Sequence, residues 1–213
     1  MKKLFQAIRK NDIETVRALI QDDPALVNCV AKQPPKKDDG QSPLQIAFKS
    51  NCLDIAKYLI DAGANVNFIE DASCCNPWRA PVIHDAINAA IMNSRWNTNS
   101  ELTGFQVFST ERNAKKAYSL LKKMLDLGAD VNAADSYGNS GIWRFCSQAS
   151  QILPSFGTDR IFTKELQEDL SNILHLLHKS GSDLSYKNPN INLSLWDLYK
   201  EGHLYELLKS VSK

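Results

Sequence analysis

The side chains able to do chemistry in this 213-residue sequence are few: four histidines, five cysteines and several paired lysines. Cys74 and Cys75 stand side by side with His84 nearby, but a zinc site needs spaced pairs that bring four ligands round one ion, and adjacent cysteines do not offer them. His175 and His178 fall on one helix face at i, i+3, and His203 follows later in the chain. A metal would accept three such imidazoles, yet solvated or core histidines are the plainer reading. No glycine-rich phosphate loop, nucleophile elbow or His-Glu-x-x-His stands in the sequence. Catalysis requires a nucleophile, a base and an orienting group to converge. No catalytic residue, metal ligand set or cofactor is therefore expected, and the chain is read as not an enzyme.

The lysines invite a nucleic-acid reading. Lys115, Lys116, Lys122 and Lys123 recur at i, i+7, which places them along the outer face of one helix, where a basic stripe is ordinarily solvated. Lys36-Lys37-Asp38-Asp39 neutralises itself and follows Pro34-Pro35, so it reads as a solvated loop tip. Over the whole chain 25 basic residues meet 24 acidic ones, with 43% hydrophobic content. That balance argues for a globular chain, against disorder and against a general electrostatic grip on nucleic acid or membrane. Polar residues interrupt the amino-terminal apolar positions before a signal-peptide core could form, and no run reaches the roughly 18 apolar residues of a membrane span. The cysteines Cys29, Cys52, Cys74, Cys75 and Cys146 are odd in number and scattered, which suits a reducing compartment. A cytoplasmic, monomeric protein is expected.

The elements that would position these side chains repeat along the chain. Tyr58-Leu59-Ile60-Asp61-Ala62-Gly63-Ala64-Asn65-Val66-Asn67 returns as Met124-Leu125-Asp126-Leu127-Gly128-Ala129-Asp130-Val131-Asn132, with weaker copies ending at Leu26-Val27-Asn28 and at Gly181-Ser182-Asp183-Leu184-Ser185. Gly40-Gln41-Ser42-Pro43-Leu44-Gln45-Ile46-Ala47 supplies an opening in which Ser42 caps a helix and Pro43 takes its first position, where a missing N–H costs nothing. Gly63, Gly128 and Gly181 fit left-handed helix caps. A leucine-rich helix closing on Gly-Ala-Asp-Val-Asn, after an opening of this kind, resembles the ankyrin repeat. The resemblance implies an all-α solenoid of about five helix-turn-helix repeats in one domain over 1–213, with short β-hairpin fingers. The repeats fall at 1–28, 40–67, 80–132, 138–185 and 192–213. Polar residues at both ends (Lys2, Lys3, Arg9 and Lys10; Lys200, Glu201, Lys209 and Lys213) suit terminal repeats with one face uncovered.

Spacing shows where this chain departs from a period of about 33 residues. The first two fingers, 29–43 and 68–82, are each six residues longer than the family's, and larger excesses lie between the two helices of repeats three and four. Part of that excess reads as longer helices: Ala114, Ala117, Tyr118, Leu121, Met124 and Leu125, and likewise Leu166, Leu170, Ile173, Leu174 and Leu177, recur at steps of three and four, with Thr110 and Thr163 as N-caps. Trp96 to Ser109 and Gln151 to Phe162 should then be loops. Their Phe105, Val107, Phe108, Ile152, Leu153, Phe156, Ile161 and Phe162 are expected to pack on each other as a satellite core.

His84 occupies the family's histidine position, which implies structural hydrogen bonds between adjacent turns, although Pro81 replaces the usual threonine partner. The resemblance also implies binding through a concave side made of finger tips and inner helices. By register the fingers offer Phe68, Trp78, Arg79, Asp135, Tyr137, Asn139, Tyr186 and Asn188, and the inner helices Lys49, Asn88, Arg95 and Arg144. Trp143 is read as core. Trp78 and Tyr137 stand equally as covers of the fingers or as anchors for a partner, the role that Trp and Tyr often take. The function expected is a non-catalytic protein-binding module. The alternatives are an immunity or antitoxin-like inhibitor of a toxin or enzyme, repeats of this irregular kind being common in bacteria and their viruses as well as eukaryotes, and an enzyme or metal-binding domain using the insertions.

Overall fold

The computed structural model describes residues 1–155 and 157–212. Ten helices follow one another as antiparallel pairs among the described residues: α1 (Lys2–Arg9) with α2 (Ile13–Asp22), α3 (Pro43–Lys49) with α4 (Leu53–Asp61), α5 (Val82–Met92) with α6 (Glu111–Asp126), α7 (Gly141–Ala149) with α8 (Lys164–Lys179), and the short α9 (Leu195–Leu198) with α10 (Gly202–Val211). The first members form an inner row, α1 on α3, α3 on α5 and α5 on α7, while α2, α4 and α6 stack outside them. The architecture is an all-α repeat fold.

Each pair is built by local chemistry. Ser42 accepts from Gln45 N while Gln45 reaches back to Ser42 N, a complete capping box with Pro43 at the first helical position. Thr110 accepts from Asn113 N and Thr163 from Leu166 N, so both N-caps expected from the sequence form. Leu4, Ile8, Leu44, Leu59, Ile83, Ile87, Leu121 and Met124 are all within 1% of full burial and belong to one continuous core. Trp143 joins that core, as expected.

After each of three outer helices the chain turns through a left-handed glycine, Gly63, Gly128 and Gly181 at φ 88°, 85° and 91°. There an asparagine from the preceding pair donates to the glycine carbonyl and accepts the N–H two residues on. Asn28 holds Gly63 O and Asn65 N (3.1 and 2.7 Å), Asn67 holds Gly128 O and Asp130 N (2.9 and 2.8 Å), and Asn132 holds Gly181 O and Asp183 N (2.8 and 3.0 Å). The same rung, repeated three times, fixes the register of four successive pairs.

Several expectations are corrected. The segment 96–109 is not a loop: β1 (Asn97–Ser100) pairs with β2 (Gly104–Val107) in an antiparallel hairpin. No satellite core forms among the described residues. Ile152 and Leu153 enter the main core, Phe108 stacks on Trp96 with centroids 4.2 Å apart, and Phe105, Val107 and Ile161 remain 51%, 48% and 42% exposed; Phe156 lies outside the described residues. The two insertions meet through polar bonds instead, with Asn97 Nδ2 donating to Ile161 O (2.9 Å), Asn97 Oδ1 accepting from Ile161 N (3.0 Å) and Asn99 N donating to Asp159 O. Ladder strands in the fingers are confined to β3 (Lys187–Asn188) and β4 (Leu193–Ser194), the second finger showing one bridge between Ile69 and Pro81. Asp38 and Asp39 are buried rather than solvated: Asp38 pairs with Arg9 of α1, and Asp39 accepts from Gln33 N and Cys75 N (3.2 and 2.9 Å). Arg9 is thereby half-buried instead of an exposed end residue, while Lys213 lies outside the described residues.

Candidate functional site

The fingers form one row because polar groups join each to the next. Asp39 of the first finger holds the second, accepting from Cys75 N and, through its carbonyl, from Asn76 Nδ2 (2.9 Å each). Gly40 makes this approach possible: it sits at φ 83°, and a Cβ there would overlap the side chain of Cys74. Arg79 and Ser136 bind the second finger to the third (Arg79 N to Ser136 Oγ 3.0 Å, Ser136 N to Arg79 O 2.9 Å). Tyr186 and Asn188 bind the third to the fourth, through Gly138 O (2.9 Å), Tyr137 O (3.0 Å) and Asn139 Oδ1 (2.9 Å).

At the centre of the row lies Trp78. Its Nε1 donates to Asp135 Oδ2 (2.9 Å), and the same carboxylate accepts from Tyr137 N, Asn139 N, Asn139 Nδ2 and Arg144 (2.9, 2.9, 3.1 and 3.1 Å). Burial by itself would raise the Asp135 carboxyl, but these donors, led by Trp78, hold it below the usual carboxylate range. The Arg144 guanidinium lies 4.8 Å and the Lys49 ammonium 5.7 Å from the centroid of the indole, within reach of its quadrupole. Trp78 is half-buried, fixed at its N–H end and open along part of its ring.

Beneath it Lys49 stands between two buried carboxylates, 3.6 Å from Glu70 and 3.8 Å from Asp85. Burial raises Asp85 to about 7, against the pull of Lys49, while Glu70 pushes the same way as burial. Beside it on α5, burial lowers His84 to about 4, aided by the Arg144 charge, so the ring is neutral near pH 7. Its Nε2 lies 3.0 Å from Ala133 O in the next turn. Nδ1 has no partner among the described residues, as Pro81 in place of a hydroxyl would leave it.

These turn-to-turn contacts, the capped openings and the glycine exits are accompanied by a sequence match: residues 2–70 fit the family model described as Ankyrin repeats (3 copies). Residues 2–70 carry ankyrin repeats. No curated protein matches it. The matched stretch covers the first two helix pairs and enters the second finger, ending before the insertions.

On this scaffold of stacked helix pairs the expected site residues divide. Lys49, Trp78, Asp135, Asn139 and Arg144 come together as described, with Arg79 and Tyr137 in the finger segments that Ser136 and Asp135 join. Tyr137 is 52% exposed, the most open aromatic of the row. Asn88 lies with Asp85 and Lys49 in a recess of about 390 Å³ between α3 and α5. Phe68 and Tyr186 pack partly against the core, and Asn188 is buried with its amide donating to the third finger. Arg95 is elsewhere: its guanidinium is clamped by Asp169 (2.8 and 2.9 Å) and Glu168 (3.1 Å) of α8, and those bonds raise it further.

The remaining chemistry candidates are occupied in other ways. Lys115, Lys116, Lys122 and Lys123 pair with Glu111, Asp54, Asp126 and Asp61, which neutralises the stripe. His175 Nδ1 meets Ser171 O (2.7 Å) and His203 stacks on Phe162 with centroids 4.3 Å apart. Among the described residues, no three His, Cys, Asp or Glu side chains are grouped to hold a metal ion, and no helix is long and apolar enough to cross a membrane. Sequence reasoning missed Glu70 and Asp85. Its one available signal was a carboxylate inside the apolar run Val82-Ile83-His84-Asp85-Ala86-Ile87.

Proposed function

We propose that the chain is a non-catalytic protein-binding module of five ankyrin repeats, whose partner lies along the finger row and the inner helices at Trp78, Tyr137, Arg144 and Lys49. The observation that carries this reading is the held indole of Trp78. An aromatic ring fixed by Asp135 and flanked by two cations presents rigid area, so little ordering is lost on association. Tyr137 adds exposed aromatic area in the neighbouring finger, and Trp, Tyr and Arg are the usual interface anchors. The finger-to-finger bonds act as a frame that keeps these anchors in one relation.

The test is a matched pair of variants assayed for folding and for capture of the native partner. Trp78→Ala with Tyr137→Ala should retain the helical spectrum and lose about thirtyfold or more in affinity, the cost of removing a central anchor. Leu102→Ser with Phe105→Ser, in the hairpin, should bind as the parent does. Loss of capture by the folded hairpin variant alone would move the binding surface to the insertions.

A further inference from the structure

The two edges of the hairpin are not equivalent. Asn99 N points away from β2 to Asp159 O, so the outer edge of β1 is covered by the second insertion. The same bond fixes the polarity of the whole ladder, because residues directly opposite in an antiparallel pair alternate between exchanging both bonds and exchanging none. Asn99, opposite Phe105, is of the second kind, and Phe108 N donating to Trp96 O (3.0 Å) agrees with that alternation. Phe105 and Val107 therefore turn both their N–H and C=O outward, along the free edge of β2. Neither amide has a partner in another segment among the described residues.

That edge lacks the usual protection. Gly104-Phe105-Gln106-Val107 carries no charge, lysine or proline, and every one of its residues is exposed. It is also self-complementary. Set antiparallel to a copy of itself about a two-fold axis through Gln106, Phe105 of each strand faces Val107 of the other. These are the residues whose backbone groups point outward, so each pair can exchange both N–H···O bonds. The side chains brought opposite are an aromatic and a β-branched residue, a favourable cross-strand pair. Two neutral glutamines meet on the axis.

We propose that β2 is an interface between two copies of this chain, which join edge to edge in this register to give a symmetric dimer through a continuous sheet. Two short strands bury little area, so the dimer is weak and reversible, with a dissociation constant on the order of 10 to 500 micromolar. It is independent of the finger row.

Sedimentation velocity on the full chain, from about 5 micromolar to about 1 millimolar, spans that range. The parent should move from monomer to dimer and no further. Gln106→Glu and Gln106→Lys, both at an exposed position, should each raise the dimer dissociation constant about tenfold or more by placing like charges on the axis. An equimolar mixture of the two should dimerise at least as well as the parent. A parent that stays monomeric throughout, variants that associate like the parent, or a mixture that fails to recover would each overturn the proposal, as would growth to species larger than a dimer.

Discussion

The finger row and the insertion end spend their extra residues differently. In the two lengthened fingers, length serves closure: Asp38 folds inward to Arg9 of α1, Asp39 holds Cys75 of the second finger, and Trp78 of the second finger meets Asp135 of the third, so polar groups that a longer loop would leave to water are bound by α1 or by the next finger. At the insertion end, length serves extension. α6 and α8 run to 16 residues each, and the hairpin between α5 and α6 leaves Leu102, at its turn, 97% exposed. A repeat can thus take up added chain without disturbing its core in either place, the finger side turning it into a closed row and the insertion side into a projecting hairpin.

That contrast can be broken in order of expected effect. Leu121→Ala or Leu59→Ala, in the core common to both ends, should cost about 2 to 5 kcal/mol by removing fully buried methyl groups, read as a fall in denaturation midpoint at unchanged slope. Asp135→Ala should cost about 2 to 4 kcal/mol, since it strands the donors of Trp78, Asn139 and Arg144 together. A loss below about 0.5 kcal/mol would show the finger row to be loosely held.

The adjacent pair His84 and Asp85 gives an intermediate effect through pH. His84, lowered to about 4 in the fold from an ordinary 6.5, supplies stability present above 6.5 and lost as pH falls through 4. Asp85, raised to about 7 from 3.8, does the reverse: stability present below 3.8 is lost as pH rises through 7. Between about 4 and 6.5 the two slopes oppose one another at about 1.4 kcal/mol per pH unit each. Relative to the parent, Asp85→Asn should become less stable on acidification across that window, and His84→Gln less stable on alkalinisation. Denaturant titrations at pH 4.5 and 6.5 check both signs. The smallest effect belongs to the hairpin turn, where Leu102→Ser should change stability by less than about 0.5 kcal/mol.

What was legible in the sequence was local. Ser42 with Pro43, Thr110, Thr163 and the glycines at 63, 128 and 181 act within one turn of the chain, so their types and spacing suffice to place helix starts and exits. The buried state of Asp38 and Asp39 was not legible, because their partners come from α1 and from the second finger, 29 and 36 residues away in sequence. Nor was the hairpin. β1 reads Asn-Thr-Asn-Ser, a polar string without strand character, and what fixes it is the long-range exchange between Asn97 and Ile161. Among the site residues, position along the fold could be read from register, while the clamp on Arg95 by Asp169 depends on how α5 meets α8 and leaves no mark near Arg95 itself.

The asparagine rungs set where the molecule opens first. Each rung ties one turn only to the next, and the series stops at Asn132: Ser185, in the corresponding place, turns its hydroxyl back onto Asp183 at 2.6 Å instead of reaching forward. The pair α9 and α10 is therefore fastened by apolar contact with its neighbour and by the finger bonds of Tyr186 and Asn188, without a rung of its own. In such a stack local opening begins at the least fastened pair and spreads to its neighbours. Amide protons of α10 should exchange with solvent soonest, and those of the turns at Asn67 and Asn132, anchored on both sides, should be among the last.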